Sequence, residues 1–250
     1  SSSALGTDHR LLDQATQELQ TVYDTRSPNR HEPALLLTWA MAQQKQGRRR
    51  LGEELRLRGQ ASRSPDKGDL EAKADAQRAD AVAFLDEARS ALKVLVGRGE
   101  LLRIAHNHLL QIAQDLGDDA AFADAAKAYF AQCAKDQTAV RREIAQTVDP
   151  TYEAEQTRAL RALEGEELAV RSLLAEHCYT RQRFDEALVQ LNRVLELDPQ
   201  RTVDYYNRGR TLLELKRNDE AKTDFRRFLA MPASETATEK RTLALRALEQ

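Results

Sequence analysis

Apolar residues recur along most of the chain at spacings of three and four, which is the period of an amphipathic α-helix. Short breaks rich in Gly, Pro, Asn or Asp separate these blocks, as expected where helices end and begin. At Asp149-Pro150 an N-cap residue precedes a proline at the first helical position. The breaks stand at residues 27–29, 58–69, 97–99, 117–119, 149–150, 198–199, 217–219 and 231–234. The pattern predicts a succession of helices joined by short turns.

The break at residues 58–69 is the longest and reads RGQASRSPDKGD. It holds two Gly, two Ser and one Pro, and no large apolar residue. Such a composition is typical of a surface loop or of a disordered excursion. We expect an exposed linker here, which would separate N-terminal helices within residues 1–57 from the rest of the chain.

A heptad pattern extends over residues 81–116. It comprises Ala81, Leu85, Ala88, Leu92, Leu95, Gly99, Leu102, His106, Leu109, Ala113 and Leu116. The segment is either one long coiled-coil helix or a helical hairpin that turns at residues 97–99. Each of the two glycines there costs about 1 kcal/mol inside a helix, and Leu101, Ile104, Leu110 and Ile112 widen the apolar face beyond a coiled-coil seam. Both features favour the hairpin.

The strongest regularity is a period of 34 residues that relates segment 168–201 to segment 202–235. Small residues match small ones and large apolar residues match large ones in the two copies. The matched pairs are Ala175 with Gly209, Ala187 with Ala221, Leu191 with Phe225, Val194 with Phe228, and Leu195 with Leu229. A helix–turn–helix unit of this length is typical of a tetratricopeptide array.

Three stretches resemble the tetratricopeptide repeat family closely: residues 183–188 (RFDEAL), 195–199 (LELDP) and 205–209 (YYNRG). The resemblance covers residues 168–235. Two positions depart from it, since Arg208 replaces the usual Leu and Arg171 the usual aromatic residue. Small residues would let helices cross closely, and larger ones would fill the gap to the next repeat. The expected packing residues are Ala175, Ala187, Leu191, Gly209, Ala221 and Phe225.

The resemblance implies an all-α fold, a right-handed α-solenoid of helix–turn–helix repeats with a long helical hairpin in the middle. Upstream, residues 70–164 would form helical hairpins like divergent repeats, and residues 1–57 would hold N-terminal helices that include another divergent repeat. Residues 165–250 would form two consensus-like repeats and a terminal helix. In that helix Leu243, Leu245 and Leu248 are the candidates to cover the last repeat.

In this family the first helix of each repeat lines a concave groove that binds peptides or helices. By resemblance the groove positions fall on Ala169, Ser172, Glu176, Tyr179 and Thr180, and then on Val203, Tyr206, Arg210, Leu213 and Glu214. We expect Ser172, Glu176, Tyr179, Tyr206, Arg210 and Leu213 to contact a partner. The family's clamp for C-terminal carboxylates needs Lys and Asn where this chain has Ser172 and Glu176, which puts that role in doubt. Tyr179, Tyr206 and Arg210 are types that anchor interfaces, or else they only pack between repeats.

Composition supports this interpretation and narrows the function. Aromatic residues make up only 5% of the chain, and the rarity of β-branched residues argues against a large sheet. The net charge of −2 gives the whole chain no general attraction to nucleic acid. No apolar run approaches the roughly 18 residues needed to span a bilayer.

No group of residues predicts an enzyme, a metal site or a cofactor. His106 and His108 stand two apart, and His177 is adjacent to Cys178, so neither pair shares a helix face. Cys133 and Cys178 are interpreted as buried small side chains, or as a disulfide only if the fold brings them together. A basic cluster comprises Arg48, Arg49, Arg50, Arg56, Arg58 and Arg63. It lacks interleaved aromatic residues for base stacking and is interpreted as a solvated face. The alternative is a site for an acidic partner or for phosphates, including those of nucleic acid.

The sequence therefore predicts a non-enzymatic scaffold that binds a partner protein or peptide in the tetratricopeptide groove. The alternative is a homo-oligomeric spacer that self-associates through the heptads of residues 81–116. The chain opens with three serines, as bacterial lipoproteins often do after a lipidated cysteine. The same run of serines is also typical of a cloning remnant. The alternative is a lipid anchor upstream of Ser1, and a periplasmic or outer-membrane lipoprotein is slightly favoured over a cytoplasmic protein.

Overall fold

The computed structural model describes residues 14, 16–18, 21, 32–232 and 238–249, and within these it contains helices and turns but no strand. In chain order the helices are α1 (Pro33–Ala61), α2 (Lys67–Arg98), α3 (Leu102–Leu116), α4 (Asp119–Gln146), α5 (Pro150–Thr180), α6 (Phe184–Leu197), α7 (Thr202–Glu214), α8 (Asn218–Ala230) and α9 (Thr238–Leu248). The chain forms two compact units, Ser1–Gln132 and Cys133–Gln250. The all-α helical repeat class is confirmed. Ser1 and most of the N-terminal segment expected to form a divergent repeat lie outside the described residues.

Helices α1 and α2 form the long hairpin of the first unit, and α3 packs beside them. Leu36 and Trp39 of α1 share the apolar core with Leu85 and Leu92 of α2. The two helices approach most closely at Gly47, where an added Cβ would lie 2.6 Å from Cγ of Leu85. A glycine is therefore required here, because any side chain would collide with the facing helix.

The heptad segment is a hairpin, and the alternative of one continuous helix is wrong. Helix α2 ends at Arg98, and Gly99 takes the left-handed conformation with φ of 73°. The amide of Glu100 then donates to the carbonyl of Leu95, as in a glycine-terminated helix. The α2 heptad residues are all fully or nearly fully buried: Ala81, Leu85, Ala88, Leu92 and Leu95. The heptad residues of α2 are therefore already covered by other helices of the same chain.

The linker expected at residues 58–69 is much shorter in the structure. Helix α1 continues through Gly59 to Ala61, and α2 begins at Lys67, so only residues 62–66 form a turn. Ala61 is 3% exposed, and its burial favours continuing the helix although Gly59 is a poor helix former. The hydroxyl of Ser64 accepts the amide of Asp66 and closes the turn.

The second unit is a series of helices, in which α5, α6, α7, α8 and α9 each pack on the next. Helix α5 begins as expected, with the Asp149 carboxylate accepting the amide of Thr151 at 2.9 Å. Its C-terminal half lies beside α7, and its N-terminal half pairs with α4 through Arg141 and Glu164. The aromatic core of this unit includes Tyr205, Tyr206, Phe225 and Phe228.

Helix α9 packs on the last repeat through one of the three leucines expected to cover it, Leu248, and not through the other two. Ala244 is completely buried, and Ala247 and Leu248 pack against the same core. Leu243 and Leu245, predicted to cover the repeat, are 44% and 53% exposed. The buried residues follow the i, i+3, i+4 spacing of one helix face, whereas Leu243 and Leu245 fall on either side of it.

Candidate protein-binding face

The residues expected at helix crossings are all buried: Ala175, Ala187, Leu191, Gly209, Ala221 and Phe225. Gly209 of α7 lies against the ring of Phe225 of α8, and a Cβ at Gly209 would stand 2.7 Å from ring atom Cε1. The small residue therefore lets the two helices of this repeat touch through the aromatic ring, as the 34-residue pattern predicts.

The outward side of α5, α7 and α9 carries a cluster of charged and aromatic side chains. We name Glu176, Tyr179, Arg210, Glu214 and Lys240 the first-helix face. The Arg210 guanidinium carbon lies 4.3 Å from the ring centre of Tyr179, a cation–π contact. The Tyr179 hydroxyl donates to Oε1 of Glu214 at 3.4 Å. The face thus joins α5 to α7 through an aromatic ring stacked under a guanidinium.

Tyr206 requires a correction, because the structure buries it to 4% exposure. Its ring packs 5.4 Å from that of Phe228 and 6.0 Å from that of Phe225. Burial raises the pKa of the Tyr206 hydroxyl, which the charge of Arg210 partly opposes. Tyr206 supports the first-helix face from beneath and does not itself offer a broad surface to a partner.

Two other groove candidates serve contacts within the chain. The Ser172 hydroxyl donates to Asp204 at 3.1 Å, and Asp204 also pairs with Arg201. Ser172 therefore fastens α5 to the first turn of α7. Leu213 is partly buried against the core of the second unit. Ala169, Thr180 and Val203 are exposed.

Both departures from the family pattern are compensated by polar partners that sequence reasoning missed. Arg208 forms two hydrogen bonds with the Asp224 carboxylate, at 2.7 and 2.8 Å, and a third with Asn192. Hydrogen bonding of the guanidinium to the Asp224 carboxylate is the main reason that the pKa of Arg208 is raised. Arg171 likewise binds Glu167 and Gln190. The sequence offered one signal for the Arg208–Asp224 pair. The two residues are 16 positions apart, which places them on the two helices of one repeat.

At least three of the six arginines in the basic cluster near residue 50 are paired with carboxylates. Arg48 pairs with Asp115, and Arg56 pairs with Glu53. Arg58 binds both Glu54 and Asp75. Because each of these guanidiniums already has a carboxylate, they offer little net charge to phosphates.

The histidines and cysteines are not brought together as a site. Burial lowers the pKa of both His106 and His108, and His108 Nδ1 lies 2.7 Å from Oε1 of Gln44. Cys133 and Cys178 are buried and form no disulfide with each other. No group of three or more potential metal ligands occurs among the described residues.

The comparisons agree with the repeat geometry. The family model for the tetratricopeptide repeat matches residues 205–234, which span α7 and α8. No curated protein sequence matches the chain. Among the described helices, none combines the length and apolar character needed to cross a membrane. The chain therefore carries a tetratricopeptide repeat, formed by α7 and α8, within an all-α helical repeat fold.

Proposed function

We propose that the chain is a non-enzymatic scaffold that binds a peptide or helix of a partner protein on the first-helix face. A tetratricopeptide repeat indicates protein–protein interaction in general. The single observation that carries the finer proposal is Arg210, which is stacked on Tyr179 at 4.3 Å and lies in the part of α7 that faces outward. A rigid tyrosine paired with an arginine is the combination that most often supplies binding energy at interfaces.

The size and polarity of the face also favour a protein segment over a small molecule. The cleft between α5 and α7 is narrow, with Ala175 and Leu191 at its base and Glu176, Asn207 and Arg210 at its mouth. Small-molecule sites are deeper and bury most of their ligand. An extended surface with charged groups around an aromatic centre suits a side-chain-bearing segment that lies across several helices.

The spacer alternative receives less support from the fold. The α2 heptad residues, including Leu85 and Leu92, already pack against Leu36 and Trp39 of α1. A second copy could use them only if the α1–α2 hairpin opened. Self-association through other surfaces does not depend on this seam.

Capture of partners from the cells that make the protein tests the proposal. Tyr179→Ala combined with Arg210→Ala is expected to lower recovery of specific partners at least about tenfold, since each anchor contributes more than about 1 kcal/mol. The control is Arg193→Ala combined with Arg226→Ala, two exposed residues on α6 and α8. Helicity by circular dichroism should be unchanged in both variants. Equal recovery by the two variants would place the binding site elsewhere.

A further inference from the structure

Building on the proposed function, we infer that the first-helix face selects an acidic side chain of the partner, whose carboxylate binds Arg210, while the charge of Lys240 near the ring of Tyr206 adds to the attraction. The proposal adds a chemical class of ligand to the face. The supporting observation is that two cations without a carboxylate partner among the described residues, Arg210 and Lys240, lie near the same tyrosine ring.

Most arginines around this face are already paired. Arg201 binds Asp204, Arg208 binds Asp224, and Arg217 binds Glu220, at nitrogen–oxygen distances of 2.6 to 2.7 Å. Within the described part of the chain, Arg210 has no carboxylate or hydrogen-bond acceptor. Lys240 of α9 also has none there. Among the described residues, therefore, no carboxylate competes with an external anion for these two cations.

One buried ring holds both cations in place. The Arg210 guanidinium carbon and the Lys240 ammonium nitrogen each lie 5.7 Å from the ring centre of Tyr206. The two charges are consequently no more than about 11 Å apart, and each is oriented by the negative face of an aromatic ring. A carboxylate beside Arg210 would relieve the repulsion between the two cations and would accept guanidinium donors that have no acceptor among the described residues.

The half-buried position of Arg210 strengthens the case. A partly desolvated guanidinium gains more from an anion than a fully solvated one, because the effective dielectric constant is lower. Its planar donors match a carboxylate in two-pronged geometry. Stacking on Tyr179 also restricts the Arg210 side chain before a partner binds, so less conformational entropy is lost on binding.

Three acids around the cations define the remainder of the charge pattern. Glu214 accepts a hydrogen bond from Tyr179, whereas Glu176 and Glu239 influence Tyr206 only through their charge. None of the three pairs with Arg210 or Lys240. Opposite charges on a partner would place an acidic residue at the centre and basic residues on either side. A uniformly acidic segment would be opposed by these glutamates.

The test uses three fluorescent peptides of 14 residues that are designed to form a helix. Their flanks consist of Leu and Ala, with one Lys near each end. The peptides differ only at two central positions one helical turn apart, which are both Glu, both Gln or both Lys. Fluorescence polarisation measures binding to the whole chain, and NMR follows the side-chain NεH signal of Arg210. We expect the Gln and Lys peptides to bind at least about tenfold more weakly than the Glu peptide, as loss of a charged hydrogen bond implies.

Variants assign the effect to the two cations. Arg210→Gln with Lys240→Gln should remove the preference for Glu, while Arg226→Gln with Arg246→Gln, which deletes the same charge from exposed positions, should keep it. The Arg210 signal should shift with the Glu peptide only. A preference that survives Arg210→Gln with Lys240→Gln would overturn the inference.

Other outcomes separate this inference from the proposed function. In one such outcome the Glu and Gln peptides bind equally well, and Tyr179→Ala abolishes the binding of both. This result would overturn the selection of an acidic side chain but would keep the first-helix face as the binding site. Failure of all three peptides to bind would also overturn the inference, while the capture experiment would still decide the proposed function.

Discussion

Replacing Phe225 by alanine is expected to lower the free energy of unfolding of the second unit by about 3–5 kcal/mol. The ring is 1% exposed, lies against Gly209 and packs on the ring of Tyr206. Its removal leaves a cavity at the crossing of α7 and α8 that Gly209 cannot fill, because glycine has no side chain. Urea unfolding followed by circular dichroism measures the loss.

Leu245→Ala is the matched control for this prediction. Leu245 is also a large apolar residue of the second unit, but it is 53% exposed. Its truncation should change the free energy of unfolding by no more than about 0.5 kcal/mol. Similar losses for Phe225→Ala and Leu245→Ala would show that the α7–α8 crossing is not the core of the repeat.

Removal of the Asp224 carboxylate should cost almost as much. Asp224→Ala leaves Arg208 partly buried without its main partner, and we expect a loss of about 2–3 kcal/mol, less than for a fully buried pair since the Arg208 side chain is 23% exposed. The same urea transition reports the loss. Arg217→Ala, which breaks an exposed pair with Glu220, should cost under about 1 kcal/mol.

A double-mutant cycle tests the explanation directly. Arg208 stands where the family usually has Leu, so Arg208→Leu combined with Asp224→Leu would replace the ion pair by an apolar contact. Such replacements are often neutral or stabilising. The single variants of the cycle are Arg208→Leu and Asp224→Leu, and the double variant should recover most of the stability that Asp224→Leu loses. Losses that simply add, with no coupling between the two positions, would contradict the role assigned to this pair.

Sequence reasoning predicted the helix crossings well because they depend on local period and residue size. Gly209 and Phe225 are 16 residues apart. Within a 34-residue helix–turn–helix unit, this separation places one residue on each helix, where the two helices cross. The hairpin at Gly97–Gly99 was predictable for a similar reason, since a left-handed glycine ends a helix whatever lies around it.

Other features depended on contacts that sequence spacing does not reveal. The turn at residues 62–66 was expected to be longer, because the burial of Ala61 outweighs the poor helix propensity of Gly59. Arg48 and Arg58 were interpreted only as part of a basic cluster on a solvated face. Their carboxylates, Asp115 and Asp75, come from α3 and α2, far away in the sequence.

The candidate face likewise combines features that the sequence predicted with features that depend on contacts between helices. Its residue positions followed from the family pattern, but the burial of Tyr206 and the use of Ser172 within the chain did not. Both result from the neighbouring helix: Phe225 and Phe228 cover Tyr206, and Asp204 accepts the hydroxyl of Ser172. Lys240 had no predicted role, because the sequence assigned the packing face of α9 correctly only in part.

Site-specific photo-crosslinking in the cells that make the protein tests the central claim most directly. A photoreactive residue is placed either at Thr180, exposed at the end of α5 beside the first-helix face, or at Val189, 61% exposed on α6. The account predicts discrete protein adducts from position 180 that disappear when Arg210 is replaced by alanine, and none of these adducts from position 189. The same adducts from both positions, or from position 189 alone, would contradict it.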